Sequence, residues 1–290
     1  METVYKVINR EIRINSFNDI IKLNFFGDVH RDTSSCDVER WKWYLKTRKQ
    51  EQNDNTYYFG MGDYHDFAST SEKKKIKELH DETITGLGLA VQEKNRMLVD
   101  EANFMRGRVL GLVEGNHNWE FKDGTTSTDD LAKRLDSVNL GWLCHFTLVV
   151  LYESGNRERR VPIHLVLCHG KAGGKTFGIT INQVGDLKNI FPVADIYCMG
   201  HDHQRTAHPT SVLVPAYANA NKDGWHIKQK RQFLCRSGSF KKGYVDGVSS
   251  YEVGRLYRPS DLGALELRIS FHRDAREDQD RVITDIKAII

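Results

Sequence analysis

Five short apolar runs in this chain each end on a glycine or cysteine, followed at once by side chains that bind metal ions or carry protons. In order these ends read Gly27-Asp28-Val29-His30, Gly62-Asp63-Tyr64-His65-Asp66, Gly115-Asn116-His117-Asn118, Cys168-His169-Gly170 and Gly200-His201-Asp202-His203. The runs before them are Ile20 to Phe26, Tyr57 to Met61, Arg108 to Val113, Val161 to Cys168 and Ala194 to Met199. All five read as short buried strands. Ligands of open α/β sheets gather beyond the carboxyl ends of the strands, so the pattern predicts one convergent polar cluster.

The residue types state what such a cluster can do. Two carboxylates, one amide and four histidines can surround a pair of cations, with His117 left over for proton transfer. Imidazole mixed with carboxylate suits Mn, Fe, Zn, Co or Ni better than calcium, which prefers oxygen alone. On an extended segment residues i and i+2 face the same way, so Asp28 with His30, and His201 with His203, can each aim two ligands at one place.

These five motifs, DxH, GDxxD, GNH, an isolated H and GHxH, make the sequence resemble the calcineurin-like metallophosphoesterase superfamily over residues 28 to 203. The resemblance implies a four-layer αββα sandwich, an α/β fold of two mixed β-sheets flanked by helices. It implies two divalent metal ions, Mn first. Asp28, His30 and His203 would hold one, Asn116, His169 and His201 the other, and Asp63 would bridge them. A metal-activated hydroxide would then hydrolyse a phosphate ester while His117 protonates the leaving oxygen. Asp66, three residues past the bridging aspartate, takes the place that orients the catalytic histidine in the protein-phosphatase branch.

Two positions depart from the family. Asn118 stands where an acidic residue often follows GNH. Phe67 stands where the protein-phosphatase branch carries a phosphate-clamping arginine. The missing arginine and a basic segment favour a phosphodiester as substrate. The alternatives are a DNA or RNA nuclease of the repair-exonuclease type, a phosphomonoesterase or phosphoprotein phosphatase, and a scaffold without activity. His65 has no firm family counterpart and is read either as a substrate contact or as a surface residue.

Other features are weighed against plainer readings. His169 to Thr176 nearly spells a phosphate-binding loop, but His169 replaces its first glycine, and Walker-type nucleotide binding is rejected. Lys228, Lys230, Arg231, Arg236, Lys241 and Lys242 lie among Trp225, Phe233, Phe240 and Tyr244. Residues 225 to 244 can therefore track nucleic acid, although a hairpin with core aromatics is the favoured reading. Trp41, Trp43 and Tyr44 are expected on a helix, some facing the core, and Lys73, Lys74, Lys75 and Lys77 on a solvated helix face. Gly238 to Tyr244 looks like segments of bacteriophage-encoded members of the superfamily.

The 290 residues suit a single domain, with a core over about 18–205, a helical insertion over 72–106 broken at Gly86 and Gly88, and a β-rich part over 206–272. The tail after Arg273 is expected to be irregular or helical. A net charge of +3 is too weak to imply nucleic acid by itself. Five scattered cysteines without a CxxC pair fit neither a disulfide framework nor a zinc ribbon. With no signal-like leader and no long apolar stretch, the expectation is a cytoplasmic protein that does not enter membranes.

Overall fold

In the computed structural model the described residues are 6–76, 78–154, 157–171, 176–217, 224–246, 253–254, 256–273 and 282–290. They form two mixed six-stranded sheets. The first holds β2 (Ile21–Phe26), β3 (Thr56–Gly60), β4 (Val109–Val113) and β5 (Asn139–Gly141), all parallel neighbours. Beside β2, β11 (Leu265–Arg273) and β12 (Val282–Ile289) add antiparallel strands. The second sheet runs β1 (Lys6–Arg13), β6 (Leu143–Ser154), β7 (Arg157–Cys168), β8 (Ile196–Met199), β10 (Trp225–Ser237) and β9 (Arg205–Tyr217).

Alternation along the strands explains the layering. Phe25 and Phe59 point between the sheets, where Phe59 stacks on Phe25 at 5.4 Å and meets Phe146 of the other sheet edge-on at 5.0 Å. Their neighbours Phe26 and Tyr58 point outward instead. They pack under α1 (Val38–Glu51), α3 (Asp81–Glu101) and α4 (Ser127–Arg134), against Trp41, Tyr44, Leu98 and Leu131. On the far side α5 (Phe177–Gly185) covers Val166, Tyr197 and Leu234 with Ile181 and Val184. The result is the αββα sandwich that the motifs implied.

The helix starts follow local chemistry. Asp37 caps α1 by accepting from Arg40 N. Thr126 and Asp129 form a reciprocal capping box at α4.

Two expectations need correction. No break occurs at Gly86 or Gly88: α3 runs through both after the short α2 (Thr70–Ile76). At Gly88 a Cβ would meet the Phe121 ring at an ordinary van der Waals distance of 3.5 Å, so this position neither turns the chain nor demands a glycine. The tail is a strand, β12, whose Ile286 is buried against the inter-sheet core. Outside the expected core over 18–205, Lys6–Arg13 forms the edge strand β1, parallel to β6. The β-rich part over 206–272 includes β9 and β10, an antiparallel pair of 13 residues each.

Among the described residues no helix is long and apolar enough to cross a membrane. All five cysteines are free and buried.

Candidate active site

The five motif strands are two neighbouring sets, β2-β3-β4 in one sheet and β7-β8 in the other, each internally parallel. Their carboxyl ends therefore open on the same side of the inter-sheet core. The loops there are stitched together by backbone bonds: Asp28 N to Gly62 O (2.9 Å), Val29 N to Asp63 O (2.9 Å) and Gly200 N to Cys168 O (3.3 Å).

Within these loops Asp28, His30, Asp63, His201 and His203 all have positive φ, between 45° and 68°. Such a conformation costs about 1–3 kcal/mol per non-glycine residue, and its concentration here marks a site whose geometry is imposed by its surroundings. Gly115 makes room for the cluster: a Cβ there would overlap the Oδ1 and backbone N of Asp63.

The side chains converge as two groups that share Asp28. Ligand atoms of Asp28, Asp63, His169 and His201 lie within 4.8 Å of one another, and so do those of Asp28, His30 and His203. Asp63 stands between the groups, its Oδ2 3.2 Å from His169 Nε2 and 3.9 Å from His30 Nε2. Asn116 Oδ1 lies 3.0 Å from His169 Nε2, beside the first group. His169 Nδ1 is taken by Met61 O at 2.8 Å, which leaves Nε2 facing the cluster. His201 Nδ1 lies 3.0 Å from that same Nε2.

This donor set fits divalent cations. Asp28 Oδ1 and His30 Nε2 are buried without a hydrogen-bond partner among the described residues, a costly state that a cation would relieve. The electrostatics agree. Burial, with the charge of Asp63, pushes the Asp28 carboxyl up to about 6, although His169 and His30 oppose this. Burial likewise opposes the charge on Asp63, but His169, His30 and His117 hold its carboxyl well below the usual range. Burial and the neighbouring His169 push His201 down to about 4, so its imidazole is neutral and available as a donor. Burial and His30 depress His203 as well.

At the rim, His117 Nδ1 makes a short contact with Asp66 Oδ1, and its backbone N donates to Asp63 Oδ1 at 3.0 Å. Burial opposes protonation of His117, yet the bond to Asp66 and the charges of Asp63 and Asp66 raise its pKa. Asp66 also faces His30, its Oδ2 3.5 Å from Nδ1.

His65 is not a surface residue. It is buried, stacked on Phe67 at 4.7 Å, with Nδ1 3.7 Å from Asp32. The missed residues are those that support the site from outside the motifs. Asp32 accepts from Asp66 N at 2.8 Å. Buried Arg236 donates to Gly200 O at 2.7 Å and to Thr180 O, holding the last motif from beneath. Ser239 Oγ and Phe240 N both donate to Asp28 O. Only Asp32 lies close enough in sequence to a motif for spacing to have raised it.

The basic segment is largely spoken for. Phe233, Phe240 and Arg236 are buried, and Lys230 pairs with Asp195 at 2.8 Å. Ala172 to Lys175, most of the phosphate-loop look-alike, and the side chain of Trp225 lie outside the described residues.

No protein-family model and no curated protein sequence matches the chain. Among solved structures it is similar to a conserved protein of Streptococcus pneumoniae TIGR4 described as a predicted phosphoesterase, at 11% identity over 93% of this chain and 99% of that one, with a TM-score of 0.34. Vps29 of Chaetomium thermophilum matches at 8% identity over 92% of this chain and 96% of its own, with a TM-score of 0.33. A 5'-nucleotidase precursor of Thermus thermophilus matches at 10% identity over 92% of this chain and 54% of its own, with a TM-score of 0.34. Likenesses of this degree carry no argument about what this chain acts on.

Proposed function

We propose that the chain is a metal-dependent phosphoesterase of the calcineurin-like superfamily, including the bacteriophage-type resemblance of residues 238 to 244, and that it prefers phosphodiesters. The observation that carries this reading is the pair of ligand groups sharing Asp28, with Asp63 between them. Two divalent cations held there, Mn first, would polarise the phosphoryl oxygens and activate the attacking water.

The chain's own residues do the rest. Asp28, His30 and His203 are assigned to one cation and Asn116, His169 and His201 to the other, with Asp63 between them. The grouping adds Asp28 to the second set. Asp66 engages Nδ1 of His117, so Nε2 is the atom left to deliver a proton to the leaving oxygen. The half-buried Phe67 brings no charge where the protein-phosphatase branch has a clamping arginine, and this supports the diester preference. Nucleic acid as the diester receives little support, because Phe233 and Phe240, two of the aromatics expected to stack bases, are core residues.

The test is hydrolysis of bis-p-nitrophenyl phosphate and p-nitrophenyl phosphate by metal-stripped protein with Mn restored, beside labelled DNA and RNA. Mn-dependent cleavage favouring the bis-ester is the expected result. Cleavage of the monoester alone would overturn the diester preference, and silence with two ions bound would overturn the hydrolase.

A further inference from the structure

The first two motif loops run side by side, and their backbone bonds form a short ladder. Asp28 N donates to Gly62 O at 2.9 Å, Val29 N and His30 N to Asp63 O at 2.9 and 3.1 Å, and Arg31 N to Tyr64 O at 3.0 Å. At the next rung the direction reverses and a side chain takes over. Asp66 N donates to Asp32 Oδ1 at 2.8 Å. The rung that fixes Asp66 is thus a carboxylate rather than a backbone carbonyl.

Asp32 is itself held in place. Thr33 N and Thr33 Oγ1 both donate to His30 O, at 3.1 and 3.0 Å, closing a turn with Asp32 at its third position. Arg31, just before it, grips the Glu101 carboxylate at the end of α3, Nε to Oε2 at 3.0 Å and Nη2 to Oε1 at 2.6 Å. On its other side lies the buried His65, stacked on Phe67, with Nδ1 3.7 Å from the same Asp32 oxygen. Among the described residues Asp32 joins neither ligand group.

What this rung secures is a carboxylate placed between two imidazoles. Asp66 Oδ1 contacts His117 Nδ1, while Oδ2 stands 3.5 Å from His30 Nδ1. Serving one ring while standing beside another depends on a fixed backbone. A displacement of about an ångström can cost on the order of a hundredfold in rate.

We propose that Asp32 is a positioning residue, its Oδ1 holding the Asp66 N–H so that the Asp66 carboxylate stays on Nδ1 of His117. The inference rests on the phosphoesterase reading for the role of His117.

Kinetics and a spectrum test it together. In Mn-loaded protein, Asp32→Ala is expected to lower kcat about tenfold or more on esters with poor leaving groups, and less on p-nitrophenyl esters. KM, Mn stoichiometry and the melting curve should stay as in the wild type. Asp32→Asn keeps an oxygen for the Asp66 N–H and should recover most of the rate. Asp32→Ala added to Asp66→Ala should cost no more than Asp66→Ala alone, because the two act in series. In Zn-loaded protein, the Nδ1–H proton resonance of His117, assigned by its absence from His117→Ala, should persist in Asp32→Asn and be lost to exchange in Asp32→Ala.

An equal loss on all leaving groups, full additivity with Asp66→Ala, or loss of metal from Asp32→Ala would overturn the inference while leaving an active wild type a phosphoesterase. A wild type that cleaves no ester would overturn the hydrolase, and the resonance would then decide. Its loss in Asp32→Ala alone would keep the positioning role, and its persistence there would overturn that as well.

Discussion

Asp66 and His117 face each other at the rim of the site, Oδ1 against Nδ1, while the backbone N of His117 is held by Asp63 Oδ1 at 3.0 Å. The residue is therefore held at two points, its backbone N and its ring Nδ1, which leaves Nε2 as the ring nitrogen that Asp66 does not engage. His117→Ala is expected to keep both metal ions and to lose about 10²–10⁴ in kcat on esters with poor leaving groups, with a smaller loss on p-nitrophenyl esters. Asp66→Asn should show the same leaving-group dependence with a smaller loss. Metal content by mass spectrometry and kcat across a leaving-group series check this. A His117→Ala protein stripped of metal would mean that His117 is a ligand.

Asp63 touches both ligand groups, and Gly115 exists to let it do so. Asp63→Asn is expected to lose metal occupancy and activity together. Gly115→Ala should do nearly the same with no ligand removed, because the new methyl group displaces the Asp63 carboxylate. Mn titration of both variants, with far-ultraviolet circular dichroism showing the fold retained, is the measurement. Full Mn occupancy in Gly115→Ala would contradict this account of the glycine.

Phe59 joins the two sheets through Phe25 and Phe146. Phe59→Ala should destabilise the protein by about 3–5 kcal/mol through lost burial and a cavity that the flanking strands cannot close. Urea unfolding checks it, and a loss under about 1 kcal/mol would show that the sheets repack.

His145 and His164 sit side by side on β6 and β7, with ring centroids 5.4 Å apart. Burial lowers the pKa of both. The neighbouring His164 adds to the shift of His145, while at His164 Asp195 pulls upward and Lys230 reinforces the burial. The folded protein thus binds protons at these groups less readily than the unfolded chain. Their contribution to stability is full above the unfolded value of about 6.5 and is lost as pH falls from there through the lower folded values. The urea midpoint should drop between pH 7.5 and pH 5.5, and drop less in the double variant His145→Asn, His164→Asn. An equal drop in both proteins would assign the acid sensitivity elsewhere.

The sequence by itself carried the strand ends and, through them, the site. A strand exposes its polar residues where the apolar run stops, so Asp28, Asp63, Asn116, His169 and His201 are legible as a set before any contact is known. The same locality explains what was misread. Gly88 looks like a helix break in sequence, yet α3 runs through it from Asp81 to Glu101. β1 and β12 carry charged, half-exposed patterns typical of edge strands, and the partner of β1, the strand β6, lies far along the chain.

Tertiary structure alone decided which residues support the cluster. Arg236 reaches Gly200 and Ser239 reaches Asp28 across separations that no local periodicity records. It also decided that Asp28 belongs to both ligand groups, because that depends on how two sheets lie against each other. Spacing along a strand sets which way a side chain points. The distance between two strand ends in different sheets is set by the core packed between them.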